Sequence, residues 1–513
     1  MLGALKIAPL LALASSAAAE TVYGAAVFSR HGDRTTKHYK NQQLTTVGAN
    51  QNFVMGSAYR SRYLLSSSES QIANISEDKY VSSQVYANAP DSGILLATAN
   101  YFLQGLYPPL DTINAAEAGT ALANGTKVAA PLAGYQYVTL HAENANSPDT
   151  MWIKGDENCP AQAATISAWE ASPVFAQRVS DSKDFYESMY PALNEVYDYT
   201  DPAQLSYAQA YDIYDLINVA RIHNASSPAA NVTDEQLFQL RTLADSAEFG
   251  ANFNATNTDS AIHARTLIAA FVSQLNTTVI GKGKLKLSLF SGSYNTMLAF
   301  FGILQLPEVS PEFYGLPDYA STMGFELFTA DNTSAFPADP NNDLRVRFLF
   351  RNGTEGTLQA FPLFGTGEDS LTWADFKSRM EAVSIPSTKD WCNVCGSTQI
   401  FCLGYQQQES VAAAAAAGAS GDKDSMSNTV AGVIGAMVTL GVFGLAGLVT
   451  FVLYRRKSKV ALLPVVAVSA GNGSVHSSVD EKTHVSMESN VQVKVFHSIE
   501  TNTTEMANGK VEE

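Results

Sequence analysis

The sequence predicts an α/β sheet with a helical cap insertion, followed by one C-terminal transmembrane helix. Three observations carry this. Strand-like apolar runs alternate with helix-like periodic runs near both ends of residues 20–405. A helix-rich, loop-rich stretch at residues 110–260 separates them, which is the pattern of a sheet interrupted by a cap. Beyond both, residues 429–454 form an uncharged apolar segment long enough to cross a bilayer.

In chain order, residues 1–19 read as a secretory signal peptide. It has a lysine, Lys6, an apolar stretch and a small-residue end, with cleavage near Ala17 to Glu20. Residues 21–28 form a short apolar strand that runs into the loop SRHGDR. Val54, Met55, Ala58, Tyr59 and Tyr63 recur at three-to-four spacing and predict a helix. Residues 81–87 are strand-like, and 94–106 form an apolar helix ended by Pro108 and Pro109. After the insertion, Ile262, Leu267, Ile268, Phe271 and Leu275 mark an amphipathic helix. Leu285, Leu287 and Leu289 alternate as a strand, and residues 295–304 are again helical. Leu344, Val346, Phe348 and Phe350 alternate as a later strand. Residues 20–405 therefore make an ectodomain, and 406–428 a low-complexity stalk. Residues 429–454 span the membrane, and the polar, Ser/Thr-rich residues 455–513 form a disordered tail. Arg455, Arg456 and Lys457 follow the span directly and place that tail in the cytosol, so the chain is a single-pass type I protein with its ectodomain outside.

The formal net charge of -17 excludes general nucleic-acid binding, which needs a basic surface. Eight Asn-x-Ser/Thr acceptors lie in the ectodomain: Asn74, Asn124, Asn224, Asn231, Asn254, Asn276, Asn332 and Asn352. Their density suits a lumenal, glycosylated face. Asn472 and Asn502 match the same pattern but fall on the cytosolic side and should stay bare. The four cysteines, Cys159, Cys392, Cys395 and Cys402, read as two disulfides in a secreted region, with three pairings open. A redox role for Cys392-Asn-Val-Cys395 lacks the surrounding βαβ pattern.

The chemistry concentrates in Arg30-His31-Gly32-Asp33-Arg34, at the carboxyl end of a strand, where open α/β sheets bind ligands. Guanidinium forks match phosphate oxygens, and a neutral imidazole is a competent nucleophile. Flanking positive charge keeps that imidazole neutral. Residues 291–295 occupy a second strand-end position.

On these residues the chain resembles the histidine acid phosphatase family, the branch-two histidine phosphatases. The resemblance also takes in LTTVGANQNFVMGSAYRSRYL from Leu44, GLYPP at 105–109, ENCP at 157–160, LPDYAS from Leu316 and DWCNVC from Asp390. It implies a phosphoglycerate-mutase-like α/β sandwich with a helical cap. It implies that His31 attacks phosphorus to give a phosphohistidine and that Arg30 and Arg34 hold the phosphoryl group, with no metal and no cofactor. It further implies a Cys159–Cys395 bridge and a Cys392–Cys402 bridge.

The resemblance also shows what is missing. Family members carry a third arginine, and Asn88 stands at that position here. They carry a His-Asp pair whose aspartate protonates the leaving group; here Ser293 and Tyr294 replace it. No His-Asp dipeptide occurs in the chain. His141-Ala142-Glu143 reads as an ordinary surface segment, and His38, His223 and His263 as structural. Asp33, Asp91 and Glu143 are the candidate substitute acids. The expectation is a membrane-anchored glycoprotein that binds phosphate-bearing ligands and hydrolyses phosphomonoesters weakly. A fully active acid phosphatase or phytase-like hydrolase with a substitute acid, and a non-catalytic surface binding protein, are the alternatives.

Overall fold

A computed structural model describes residues 20–194, 197–333 and 335–418. The chain divides into units 1–425 and 426–513, and every described residue belongs to the first. The predicted signal peptide, transmembrane segment and tail lie outside the described residues. Among the described residues, no helix is long and apolar enough to cross a membrane.

The main sheet has a parallel centre and antiparallel flank. Its strands are β1 (Thr21–Arg30), β2 (Val85–Pro90), β5 (His141–Glu143), β6 (Leu287–Gly292), β7 (Thr322–Thr329), β8 (Arg345–Arg351), β9 (Gln359–Phe361) and β10 (Leu371–Thr372). The spatial order is β10-β8-β7-β1-β6-β2-β5, with β9 also on β8. β3 (Gly119–Ala121) and β4 (Lys127–Ala129) form a separate ladder. Strands β1, β6, β2 and β5 run parallel, while β7 and β8 run antiparallel to their neighbours. β1 and β6 are buried along nearly their whole length, as a parallel centre covered on both faces requires. On one face Val27, Ala87 and Leu289 pack with Met55, Tyr59 and Phe102 from helices Thr46–Tyr63 and Gly93–Leu106. On the other, Phe28 and Phe290 pack with Leu267 and Phe271 of helix Ile262–Ile280. The result is a sheet between two helical layers.

Several boundaries differ from the sequence expectation. The first strand continues through Arg30, so the first site arginine is part of the ladder, opposite Gly292. The strand expected at 81–87 is β2 at Val85–Pro90, because its pairing with β6 starts at Val85 and Leu287. Val54, expected on the apolar face, is 46% exposed. The face is set instead by Gly56, where a Cβ would lie 1.9 Å from the Phe102 carbonyl oxygen. Backbone contact between the two helices there leaves Val54 outside. The segment expected as a stalk begins inside helix Ile400–Gly418, consistent with its alanine run and alanine's helix propensity.

The insertion is a helical cap whose longest helices are Ala210–His223 and Asp234–Asn252, the latter opened by a Thr233–Gln236 capping box. Both disulfides form as the resemblance implied, Cys159–Cys395 and Cys392–Cys402, so Cys392 and Cys395 are not a redox pair. The first closes 236 residues and ties the entry of the cap to helix Thr388–Cys395. Six of the eight glycosylation acceptors are exposed; Asn276 and Asn352 are half-buried.

Candidate active site

The parallel strands bring four carboxyl ends to one rim: the SRHGDR loop after β1, Asp91 and Ser92 after β2, Glu143 at the end of β5, and Ser293 after β6. His31, Asp91, Ser92, Glu143, Ser293 and Tyr294 line one cavity of about 590 Å³ there.

Helix Thr46–Tyr63 clamps the loop. Asn52 accepts from Gly32 N at 2.8 Å and donates to the Arg30 carbonyl at 3.1 Å, and Gln51 accepts from Asp33 N at 2.7 Å. A Cβ on Gly32 would lie 2.3 Å from the Gly48 carbonyl oxygen. Only a glycine lets the loop approach the helix this closely. The His31 amide donates to the Gly292 carbonyl at 3.2 Å, and Ala320 N donates to the His31 carbonyl at 3.0 Å. The histidine backbone is therefore held between β6 and the Leu316–Ser321 run.

His31 is 4% exposed. Its Nδ1 lies 2.9 Å from the Gly32 carbonyl. A carbonyl can only accept, so Nδ1 carries the proton and Nε2 keeps its lone pair. Burial, then Arg30 and Arg34, hold the imidazole well below its ordinary pKa, against the opposing pull of the Gly32 bond. The neutral imidazole, with its Nε2 lone pair free, is thus the resting form.

Arg34 lines the same cavity but is heavily committed. Nη1 donates to Asp215 Oδ2 at 3.1 Å and to the Thr35 carbonyl at 2.9 Å, and Nη2 donates to Tyr211 OH at 3.0 Å. Burial disfavours its charge, yet Tyr211 and Asp215 outweigh that and keep it protonated. Asp215 also accepts from Thr36 Oγ1 and Lys37 N, so it organises the whole turn after the loop.

Arg30 goes elsewhere. Its Nη1 donates to the Pro317 carbonyl, and its guanidinium lies 5.2 Å from the Tyr294 ring centre and 4.7 Å from that of Tyr319. It lines a neighbouring cavity of about 290 Å³ with Tyr211 and Tyr319 rather than the His31 cavity. Tyr294 lines the His31 cavity and stacks on Tyr211 with centroids 4.7 Å apart. This stacked pair stands between the two arginine environments. An aspartate at 294 would leave that space open.

Asn88 does not line the His31 cavity. It is buried at the end of β2, where Nδ2 donates to Tyr86 OH and Glu143 Oε1, both at 2.9 Å, and it borders an adjoining cavity of about 570 Å³. Glu143 lines both cavities. Residues 141–143, expected as an ordinary surface segment, are exposed at His141 and Ala142, while Glu143 enters the cavity. They form edge strand β5, paired with β2 through residues 88–90. Of the candidate acids, Asp91 and Glu143 reach the cavity. Asp33 does not: it is fully buried and turned to Thr45 Oγ1 and to His223 Nε2 at 2.6 Å. His38 pairs with Asp212 at 2.7 Å and His263 with the Asn295 carbonyl at 3.1 Å, partners too distant in sequence to be seen there.

Among the cavity residues that escaped sequence reasoning, two bear on the position of Tyr294. Lys37 Nζ lies 3.4 Å from Tyr294 OH and supplies an ammonium beside Ser293, where the resemblance lacked a cation. Its place just after Arg34 was the available signal. Glu248, on the cap helix Asp234–Asn252, lines the cavity together with Tyr294. Nothing in its local sequence marks it. The cavity as a whole is acidic: Asp91, Glu143, Asp156, Glu157, Glu170 and Glu248 face Arg34, Lys37 and Lys154.

The model of the histidine phosphatase superfamily (branch 2) matches residues 38–351, more than half of the chain, beginning just after the SRHGDR segment. The chain belongs to this superfamily. Lysosomal acid phosphatase of Xenopus laevis is 24% identical over 387 residues, covering 72% of this chain and 77% of that protein. Among solved structures, the phytase of Citrobacter braakii aligns at 12% identity with a TM-score of 0.48, over 72% of this chain and 99% of that one. The Klebsiella sp. ASR1 phytase aligns at 12% identity and 0.49, over 72% and 97%.

Proposed function

We propose that the chain is a membrane-anchored, glycosylated phosphomonoesterase of the cell surface that works slowly through a phosphohistidine at His31. The observation that carries this is the His31 imidazole itself. It is buried, held neutral, fixed through Nδ1, and lines a cavity large enough for a small ester. Attack through Nε2 needs no deprotonation step. Arg34 and Lys37 supply positive charge near the phosphoryl group. Six carboxylates around them oppose any further phosphate on the substrate, so the reading favours monophosphates over polyphosphorylated rings.

Slow turnover follows from what surrounds His31. Without the third arginine, one charge-assisted bond to phosphate is missing, at a cost of about 1.5–3 kcal/mol. The phenol of Tyr294 is pushed well above its ordinary pKa by burial and then by Glu248, so alone it is a poor acid. Loss of a general acid lowers rates roughly 10²–10⁴-fold for leaving groups that need a proton. The commitment of Arg30 to Pro317 favours a second reading, a surface protein that binds phosphate esters without turning them over.

The test uses the full-length protein and a ³²P-labelled aryl phosphate, quenched in alkali, where phosphohistidine survives. Label retained by the wild type and lost in His31→Ala supports the phosphatase reading. Ester binding without label supports the second. Absence of both would refute the two together.

A further inference from the structure

We propose that Asp215, in the cap, is a positioning residue that sets how strongly the site holds phosphate. It orients the Arg34 guanidinium and offsets part of its charge. The proposal rests on the phosphate-binding reading above. Helix Ala210–His223 supplies partners to the turn that follows His31. Asp215 is 2% exposed, and its Oδ2 accepts from Arg34 Nη1 at 3.1 Å, Thr36 Oγ1 at 3.0 Å and Lys37 N at 2.6 Å. One turn earlier, Tyr211 OH accepts from Arg34 Nη2 at 3.0 Å. Asp212 Oδ2 lies 2.7 Å from His38 Nδ1, and His223 Nε2 lies 2.6 Å from Asp33 Oδ2. A single cap helix thus grips residues 33, 34, 36, 37 and 38.

A guanidinium carries five N–H donors. Arg34 spends two from Nη1, on Asp215 and the Thr35 carbonyl, and one from Nη2, on Tyr211. Nε–H and the second Nη2–H have no acceptor among the described residues. Arg34 is 1% exposed yet lines the His31 cavity, so these two donors are what it has left for phosphoryl oxygens. Without the tie to Asp215 the side chain is free to turn, and the two donors lose their aim.

The same carboxylate opposes the ligand. In a buried setting, an Asp215 oxygen 3.1 Å from the guanidinium competes with phosphate for its positive charge. Orientation and charge can be separated by substitution. All three donors converge on one oxygen, so the amide oxygen of Asp215→Asn can receive them while the charge is removed. Asp215→Ala removes the charge and the hold on Arg34 together.

The experiment measures the dissociation constant of inorganic phosphate by calorimetry, and kcat and KM on nitrophenyl phosphate, with the full-length protein. The variants are Asp215→Asn, Asp215→Ala and His31→Ala, with Asp215→Asn also placed in the His31→Ala background. Asp215→Asn should bind phosphate about tenfold more tightly, the size of one charge-assisted contact, and KM should fall with it. The same gain should appear in the His31→Ala background, because binding does not use the nucleophile. Asp215→Ala should bind no more tightly than the wild type, since Arg34 loses its orientation. A residue that served stability alone would give no tightening in either variant. Unchanged or weaker phosphate binding in Asp215→Asn, with phosphohistidine still formed by the wild type, overturns the proposal and leaves the phosphatase reading intact. Equal tightening in Asp215→Ala overturns the positioning role. A wild type that binds no phosphate and forms no phosphohistidine overturns both readings. Should Asp215→Asn prove less stable, the rise in its Tm at a fixed phosphate concentration still reads the affinity.

Discussion

Asn88→Arg, at the position the resemblance assigns to the family's third arginine, should fail to improve phosphate binding on its own. Asn88 donates to Glu143 Oε1 at 2.9 Å, and Glu143 is also paired with β2 through the backbone, opposite Pro90. A guanidinium introduced at 88 meets that carboxylate first. Glu143 lines both the His31 cavity and the adjoining one, so it lies on the route the new side chain must take. A bidentate pair with Glu143 would neutralise the added charge and hold the arginine off the phosphate. Removing the competitor in Asn88→Arg with Glu143→Gln frees it to make one charge-assisted bond, about 1.5–3 kcal/mol, or roughly 10–150-fold in affinity. The assay is the dissociation constant of inorganic phosphate by calorimetry for wild type, both single variants and the double variant, at one fixed ionic strength. The expected pattern is a strongly non-additive cycle: little gain for Asn88→Arg, a modest gain for Glu143→Gln from lost repulsion, and a large gain for the pair. A tenfold gain from Asn88→Arg alone would refute the capture by Glu143.

Three further outcomes follow from the same structure. His31 and His263 both have folded pKa values below 6.5, chiefly through burial, so below about pH 6.5 the unfolded chain binds protons that the folded chain refuses. Their contribution to stability is full above that pH and is lost as pH falls toward the folded values, so the fall in Tm from pH 7 to pH 5 should shrink in His31→Ala. Glu326 is fully buried and accepts from Arg62 at 2.8 Å and Tyr63 OH at 2.9 Å, with Arg347 also bonded to it. Glu326→Ala leaves two guanidinium groups without their shared carboxylate and should cost about 3 kcal/mol in urea unfolding; a loss under about 1 kcal/mol would contradict that role. Protease applied to intact cells should remove the ectodomain and spare an epitope placed after residue 500, and loss of the epitope would reverse the proposed topology.

The order of strands and helices was legible because each core element carries its own period. Phe348 and Phe350 alternate on β8, and Leu267 and Phe271 recur on helix Ile262–Ile280, whatever they pack against. The charged cluster at the site was legible for a similar reason. Arg30, His31 and Arg34 lie within five residues, and a strand end presents them together. Errors came where a distant backbone contact decides the matter. Val54 fits the helical period of the apolar face, but the contact of Gly56 with the Phe102 carbonyl turns it to solvent.

By itself, then, the sequence determined the α/β class, the cap insertion, the Arg30-His31-Gly32-Asp33-Arg34 cluster at a strand end and the absence of a His-Asp dipeptide, all carried by local pattern or motif. Only the tertiary structure decided how the charges around that histidine are spent. Arg34 is bound to Asp215, 181 residues away, and Arg30 turns to the Pro317 carbonyl, 287 residues away. Asp33 is taken by His223, and Glu248 enters the cavity from the cap. A carboxylate's partner is chosen by which groups the fold brings within about 3 Å in a dry interior, where an unpaired charge is costly. No spacing along the chain encodes that choice.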